Sequence, residues 1–192
     1  MAKLLIVYGS GEGQTTKIAQ RIAEVVQGKG HVVELVRGNG LPSNLNLANY
    51  HFILVGASIH TGKHQPYMVK FVKSNLSALN SKPSGFFSVS VSAGSKVPRL
   101  HALAEKYLER FITETGWKPT TTTLIGGALQ YTKYNILNKL LMRYITRNSL
   151  GPTDIKRDYE YTDWEQVTKF AESLVSLLDK SSASAEPQKA TR

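Results

Sequence analysis

Ten residues near the start, Val7-Tyr8-Gly9-Ser10-Gly11-Glu12-Gly13-Gln14-Thr15-Thr16, constrain the fold more than any other stretch. An apolar run from Leu4 to Val7 leads in and reads as a buried strand. A helix leads out, with Ile18, Ile22, Val25 and Val26 on one face and Ala19 and Ala23 beside them. A glycine-rich turn at the start of a helix presents backbone N–H groups and the positive end of the helix dipole, which together make an anion site. An NTPase loop needs a lysine after its last glycine, and here Gln14 follows Gly13. The glycines at 9, 11 and 13 also lack the spacing of a dinucleotide fingerprint. What remains is a loop of backbone amides with Ser10, Thr15 and Thr16 as hydroxyl donors, suited to one terminal monophosphate such as that of FMN.

The 192 residues are expected to form one domain, residues 1–179, followed by a disordered Ser-, Ala- and Lys-rich tail, 180–192. No apolar run approaches the ~20 residues that span a bilayer, and the first apolar run ends too early for a signal peptide. The expected location is therefore cytoplasmic. The chain has no cysteine, which excludes disulfides and thiolate chemistry. No metal site is expected. The net charge of +10 favours an anionic ligand or surface. Charge is the only feature pointing to nucleic acid. No aromatic-basic reading motif accompanies it, so no nucleic-acid partner is expected.

Four more strands are expected, at His31–Val36, His51–Ala57, Gly85–Val91 and Thr121–Gly126, separated by helices. One helix carries Tyr67, Met68, Phe71, Val72, Leu76 and Leu79 as its stripe, and another runs from Leu100 to Thr115. The alternation predicts an α/β fold: a doubly wound, five-stranded parallel sheet with helices on both faces. Ligands of such sheets sit beyond the carboxyl ends of the strands. Strands one, three and four end in glycine- and hydroxyl-rich loops. The first, Ser10, Gly11, Glu12, Gly13, Gln14 and Thr15, is expected to hold the phosphate. The second, Ser58, Ile59, His60, Thr61 and Gly62, and the third, Ser92, Ala93, Gly94 and Ser95, are expected to flank a flat ring.

The element order and the three loops resemble flavodoxin. Four segments resemble the quinone-dependent protoporphyrinogen IX dehydrogenases, a flavodoxin-like family: Gly13-Gln14-Thr15, Gly56-Ala57-Ser58-Ile59, Gly126-Gly127-Ala128-Leu129-Gln130-Tyr131 with Tyr134, and Tyr161-Thr162-Asp163-Trp164-Glu165-Gln166-Val167. The resemblance runs from about Lys3 to about Asp179. It implies FMN as cofactor, protoporphyrinogen IX as substrate and a membrane quinone, menaquinone or ubiquinone, as electron acceptor in haem biosynthesis. Glu12 departs from ordinary flavodoxins, which carry a phosphate-binding Thr there. An NAD(P)H:quinone reductase and a flavodoxin-type electron carrier are the alternatives on the same fold.

Between the fifth strand and the last helix lies an insertion, about 129–159, and loops of that length are usually functional. Within it, Tyr134 to Arg147 has a helical apolar stripe of Ile136, Leu137, Leu140, Leu141, Tyr144 and Ile145. Lys133, Lys139, Arg143 and Arg147 surround the stripe. A basic amphipathic helix of this kind lies in a membrane interface, which implies peripheral association with the inner face of the cell membrane. Packing on the domain core, or on a second copy in a homo-oligomer, is the competing reading. Thr162 and Glu165 read as the capping box of the final helix, with Trp164, Val167, Ala171, Leu174 and Leu178 as its buried stripe. No catalytic acid–base group is identified. His60 and His64 are the nearest candidates, and Tyr131 and Tyr134 are candidates to line the substrate side.

Overall fold

The computed structural model describes residues 1–133, 154 and 156–185. Five parallel strands, β1 (Lys3–Gly9), β2 (Val32–Arg37), β3 (Phe52–His60), β5 (Ser84–Ser90) and β6 (Thr121–Gly126), form one sheet in the order β2-β1-β3-β5-β6. The short β4 (Lys63–His64) pairs antiparallel with the end of β3. Strand β1 therefore sits between β2 and β3, with Ile6 opposite Leu35 on one side and Leu54 on the other.

Period-two alternation sends the apolar strand residues to two separate cores. Leu4, Ile6, Phe52, Leu54 and Phe87 face α1 (Gln14–Gly28) and the final helix, α5 (Trp164–Ala185), where Ile18, Ile22, Val26, Leu174 and Leu178 are buried. Leu5, Val7, Ile53, Val55 and Phe86 face α2 (Pro66–Ser74), α3 (Leu76–Ser81) and α4 (Pro98–Thr115), against Met68, Phe71, Leu79 and Phe111. Both faces are covered, as the near-continuous apolar strands require.

Several elements differ from the expectation. The single helix expected through Leu79 breaks at Asn75, whose Nδ2 bonds back to the Phe71 carbonyl at 2.8 Å. Strand β3 runs on to His60 instead of stopping at Ala57, because it pairs with β4 through Ile59–His64 and His60–Lys63. The final helix begins at Trp164, and its cap is Asp163, whose Oδ1 accepts from the amides of Glu165 and Gln166 at 3.0 and 3.1 Å. Thr162 is thus not the N-cap, and two capping residues side by side hid which one is used. Trp164 is 37% exposed, not buried, and its indole donates to Glu160. The helix continues to Ala185, beyond the expected boundary at Asp179.

Strands β7 (Ala128–Leu129) and β8 (Tyr159–Glu160) pair antiparallel and bring the two ends of the insertion together. Its expected helix, Tyr134 to Arg147, and the end of the tail lie outside the described residues. Among the described residues no helix is long and apolar enough to cross a membrane.

One buried contact closes the base of the second core. Ser84 Oγ donates to the Leu79 carbonyl at 2.9 Å and accepts from Trp117 Nε1 at 3.0 Å, with Ser84 and Trp117 both buried. Ser84→Ala leaves an indole N–H and a carbonyl unpaired. It is expected to cost about 1–3 kcal/mol in urea unfolding.

Candidate functional site

The parallel sheet places the ends of β1, β3 and β5 on one edge, so the three polar loops of the sequence meet there. The first is shaped by Gly13, at φ 109° just before α1, a left-handed conformation that suits glycine. Ser10 Oγ accepts from the Gly13 amide at 3.0 Å, which folds the loop back on itself. Helix α1 has no side-chain cap and no acidic residue in its first turn. Its amino end therefore presents its amides and dipole to the site. Thr15, in the first turn of α1 and 1% exposed, carries a buried hydroxyl with no hydrogen-bond partner among the described residues. Burying an unpaired hydroxyl is costly, and a phosphate oxygen satisfies it. The donors, the uncapped helix and the orphaned hydroxyl all fit a phosphate monoester.

The second loop is a hairpin. Thr61 and Gly62 take positive φ, 47° and 75°, the pattern of a tight two-residue hairpin turn. Gln65 Nε2 bonds Ser58 Oγ, and Arg110 of α4 donates to the Gly62 carbonyl. Arg110 was not foreseen from sequence; it is distant along the chain, and nothing local marks it. Glu12, the residue that departs from ordinary flavodoxins, lies with its carboxylate 3.5 Å from His60 Nδ1, so the first two loops touch.

The third loop is a short 3-10 turn, Ser92–Gly94. Ser90 Oγ accepts from the Ala93 amide at 3.1 Å and Ser95 Oγ from the Val97 amide at 3.2 Å. Tyr161 packs against this loop and the end of β6. A Cβ on Gly126 would stand 2.1 Å from the Tyr161 carbonyl oxygen, and one on Gly94 would stand 2.6 Å from Tyr161 Cβ. Only glycine permits these approaches. Burial, with Tyr131 and Tyr159 nearby, raises the Tyr161 phenol above its ordinary range and keeps it neutral.

The two candidate histidines separate. His60 is exposed on the hairpin. His64 is 6% exposed, packs edge-on to Phe86 and Phe111, and bonds Ser88 Oγ at 2.9 Å. Burial first, and the Arg110 charge second, lower its pKa to about 3. His64 is thus a buried imidazole, neutral at pH 7, set among aromatic rings. Tyr131 is fully buried beside Tyr159, their rings 6.2 Å apart, and so packs inside. Tyr134 lies outside the described residues.

Residues 5–156 match the family described as the flavodoxin domain. The chain is 32% identical over 178 residues to protoporphyrinogen IX dehydrogenase [quinone] of Escherichia coli K12, covering 93% of this chain and 97% of that protein. It is 32% identical over 179 residues to the enzyme of that name from Leishmania major, covering 91% of this chain and 75% of that one. Among solved structures, oxidised flavodoxin 1 from Bacillus cereus superposes with a TM-score of 0.56 at 19% identity, covering 91% of this chain and 98% of that one. An apo NADH:FMN oxidoreductase does so with 0.56 at 13% identity, covering 97% and 92%. These two likenesses show the fold alone.

Two outcomes follow from the geometry. Thr15→Val removes a hydroxyl that no group among the described residues uses. The ligand-free chain should melt at the same temperature or higher, while affinity for a flavin phosphate, measured by fluorescence quenching, should fall by about 1.5–3 kcal/mol. For His64, the folded pKa of about 3 lies below the ordinary value of 6.5. The unfolded chain therefore binds the extra proton between those values. Stability is complete above that window and declines as pH falls through it, by up to about 1.4 kcal/mol per pH unit. Denaturant midpoints between pH 7 and pH 4 should show this slope, and His64→Gln should flatten it.

Proposed function

This chain belongs to the flavodoxin-like family of quinone-dependent protoporphyrinogen IX dehydrogenases, and from that premise we propose that it binds FMN and oxidises protoporphyrinogen IX with a quinone as electron acceptor. The observation that carries the reading is the 32% identity to the E. coli enzyme over 97% of that enzyme's length. The buried, unpartnered Thr15 hydroxyl at an uncapped helix start supports the cofactor independently.

In this reading Ser10, Gly13, Thr15 and the first amides of α1 hold the phosphate, with Gln14 beside them. The Ser58–Gly62 hairpin and the Ser92–Ser95 turn flank the ring with backbone polar groups. When bound, the flavin would supply the redox chemistry, the transfer of hydrogens with their electrons between donor and acceptor. The protein's part is to fix the ring against the substrate and to keep the loops from spreading. The Arg110 bond to Gly62, the contact of Glu12 with His60, and Tyr161 wedged beside Gly94 and Gly126 do the latter. Protoporphyrinogen IX loses six hydrogens in becoming protoporphyrin IX, and each quinone takes two of them, so three quinones become three quinols for each macrocycle oxidised.

The sequence pattern of residues 134–147, four cations around an apolar stripe when Lys133 is counted, supports docking on an anionic membrane surface where quinone is dissolved. Each such cation near the surface contributes about 1 kcal/mol. Charge reversal at Lys139 and Arg143 should reduce co-sedimentation with anionic vesicles, as should high salt, while FMN binding persists. No sedimentation of the wild-type chain at low salt overturns the membrane reading alone.

The activity itself is tested in steady state by porphyrin fluorescence. Turnover is expected to depend on added quinone and not on NAD(P)H. Porphyrin formation that ignores quinone, or none at all from the FMN-loaded chain, overturns the proposal.

A further inference from the structure

Thr162 lies in the return segment between β8 and α5, and its hydroxyl makes two bonds. It donates to the Gly126 carbonyl at the end of β6, at 2.7 Å, and it lies 2.8 Å from Gln14 Nε2 at the start of α1. A threonine hydroxyl has a single proton, and a carbonyl can only accept. Gly126 therefore takes that proton, and the oxygen of Thr162 is left to accept from Gln14. This proton count settles which way the Gln14 carboxamide faces, an orientation that is otherwise two-fold ambiguous. Nε2 is tied to Thr162, and Oε1 is the free end. Gln14 is 6% exposed, and its Oε1 is buried with no partner among the described residues. The segment that carries Thr162 is itself held, because the Tyr161 carbonyl fits only against a glycine at 126.

We propose that Thr162 is a positioning residue of the cofactor site: by donating its hydrogen bond to the Gly126 carbonyl it holds the Gln14 carboxamide with its acceptor oxygen free for a donor group on the ligand. The inference rests on the FMN reading above. It also assigns the return segment a role beyond starting a helix. Thr162 joins the first loop to the end of β6, so the cofactor site is tied to the segment that closes the insertion.

The test is a double-mutant cycle read by FMN titration. Thr162→Val should weaken FMN binding roughly tenfold, the size of one buried hydrogen bond, and should change the visible circular dichroism of the bound flavin. Thr162→Ser keeps the hydroxyl and should stay within about threefold of wild type. Because Thr162 acts through Gln14, the double variant Thr162→Val with Gln14→Leu should bind no more weakly than Gln14→Leu alone. Melting of the ligand-free chains is recorded alongside; if Thr162→Val does not fold, Thr162→Ala against Thr162→Ser makes the same comparison. The role is overturned if Thr162→Val binds FMN as wild type does, or if the two losses multiply in the double variant. A wild-type chain that takes up no FMN overturns the cofactor reading and this role together, whereas retained wild-type binding with an indifferent Thr162→Val overturns the positioning role alone.

Discussion

Everything at the candidate site depends on how the chain turns from β1 into α1. Strand β1 is buried from its second residue onward and lies inside the sheet, so its direction is fixed by apolar contacts on both faces and by pairing with β2 and β3. The turn must reverse that direction within a few residues, and left-handed Gly13 allows it. The outcome is a helix with no side-chain cap and no acid in its first turn. It points at the same edge where β3 and β5 end. A buried strand supplies rigidity, a glycine supplies the turn, and an uncapped helix supplies the field for an anion.

Around that centre the remaining loops are held by contacts from distant parts of the chain. Arg110 in the middle of α4 reaches the Gly62 carbonyl, and Tyr161 fills the space that the side chains absent from Gly94 and Gly126 leave open. Such long-range fastening keeps polar loops in one arrangement without a core of their own. The Glu12–His60 contact adds a link within the site. It gives position 12 a structural partner in place of the threonine that ordinary flavodoxins carry there.

The parts of this structure governed by local pattern were legible in the sequence. The apolar runs at Leu4–Val7 and His51–Ala57 gave the strands, because doubly buried strands cannot hide their composition. The three polar loops could be placed on one edge because parallel strands all end there. What stayed hidden depends on tertiary contact. The extension of β3 to His60 needs its pairing with β4, which no periodicity reports. The burial of His64 needs Phe111 from α4. Thr162 was masked by a plausible capping box, since Thr162 and Asp163 are both good cap residues and only the bonds to Gly126 and Gln14 show which one is otherwise engaged.

The central claim is that a flavin held at these loops takes electrons from a porphyrinogen and yields them to a quinone. It is tested most directly by anaerobic rapid mixing of the FMN-loaded chain, following the visible flavin absorbance. The account predicts bleaching on addition of protoporphyrinogen IX, no bleaching with NADPH, and recovery of the absorbance when a quinone is added. Bleaching by NADPH with no response to the porphyrinogen would contradict it and assign the chain to the quinone reductases of the same fold.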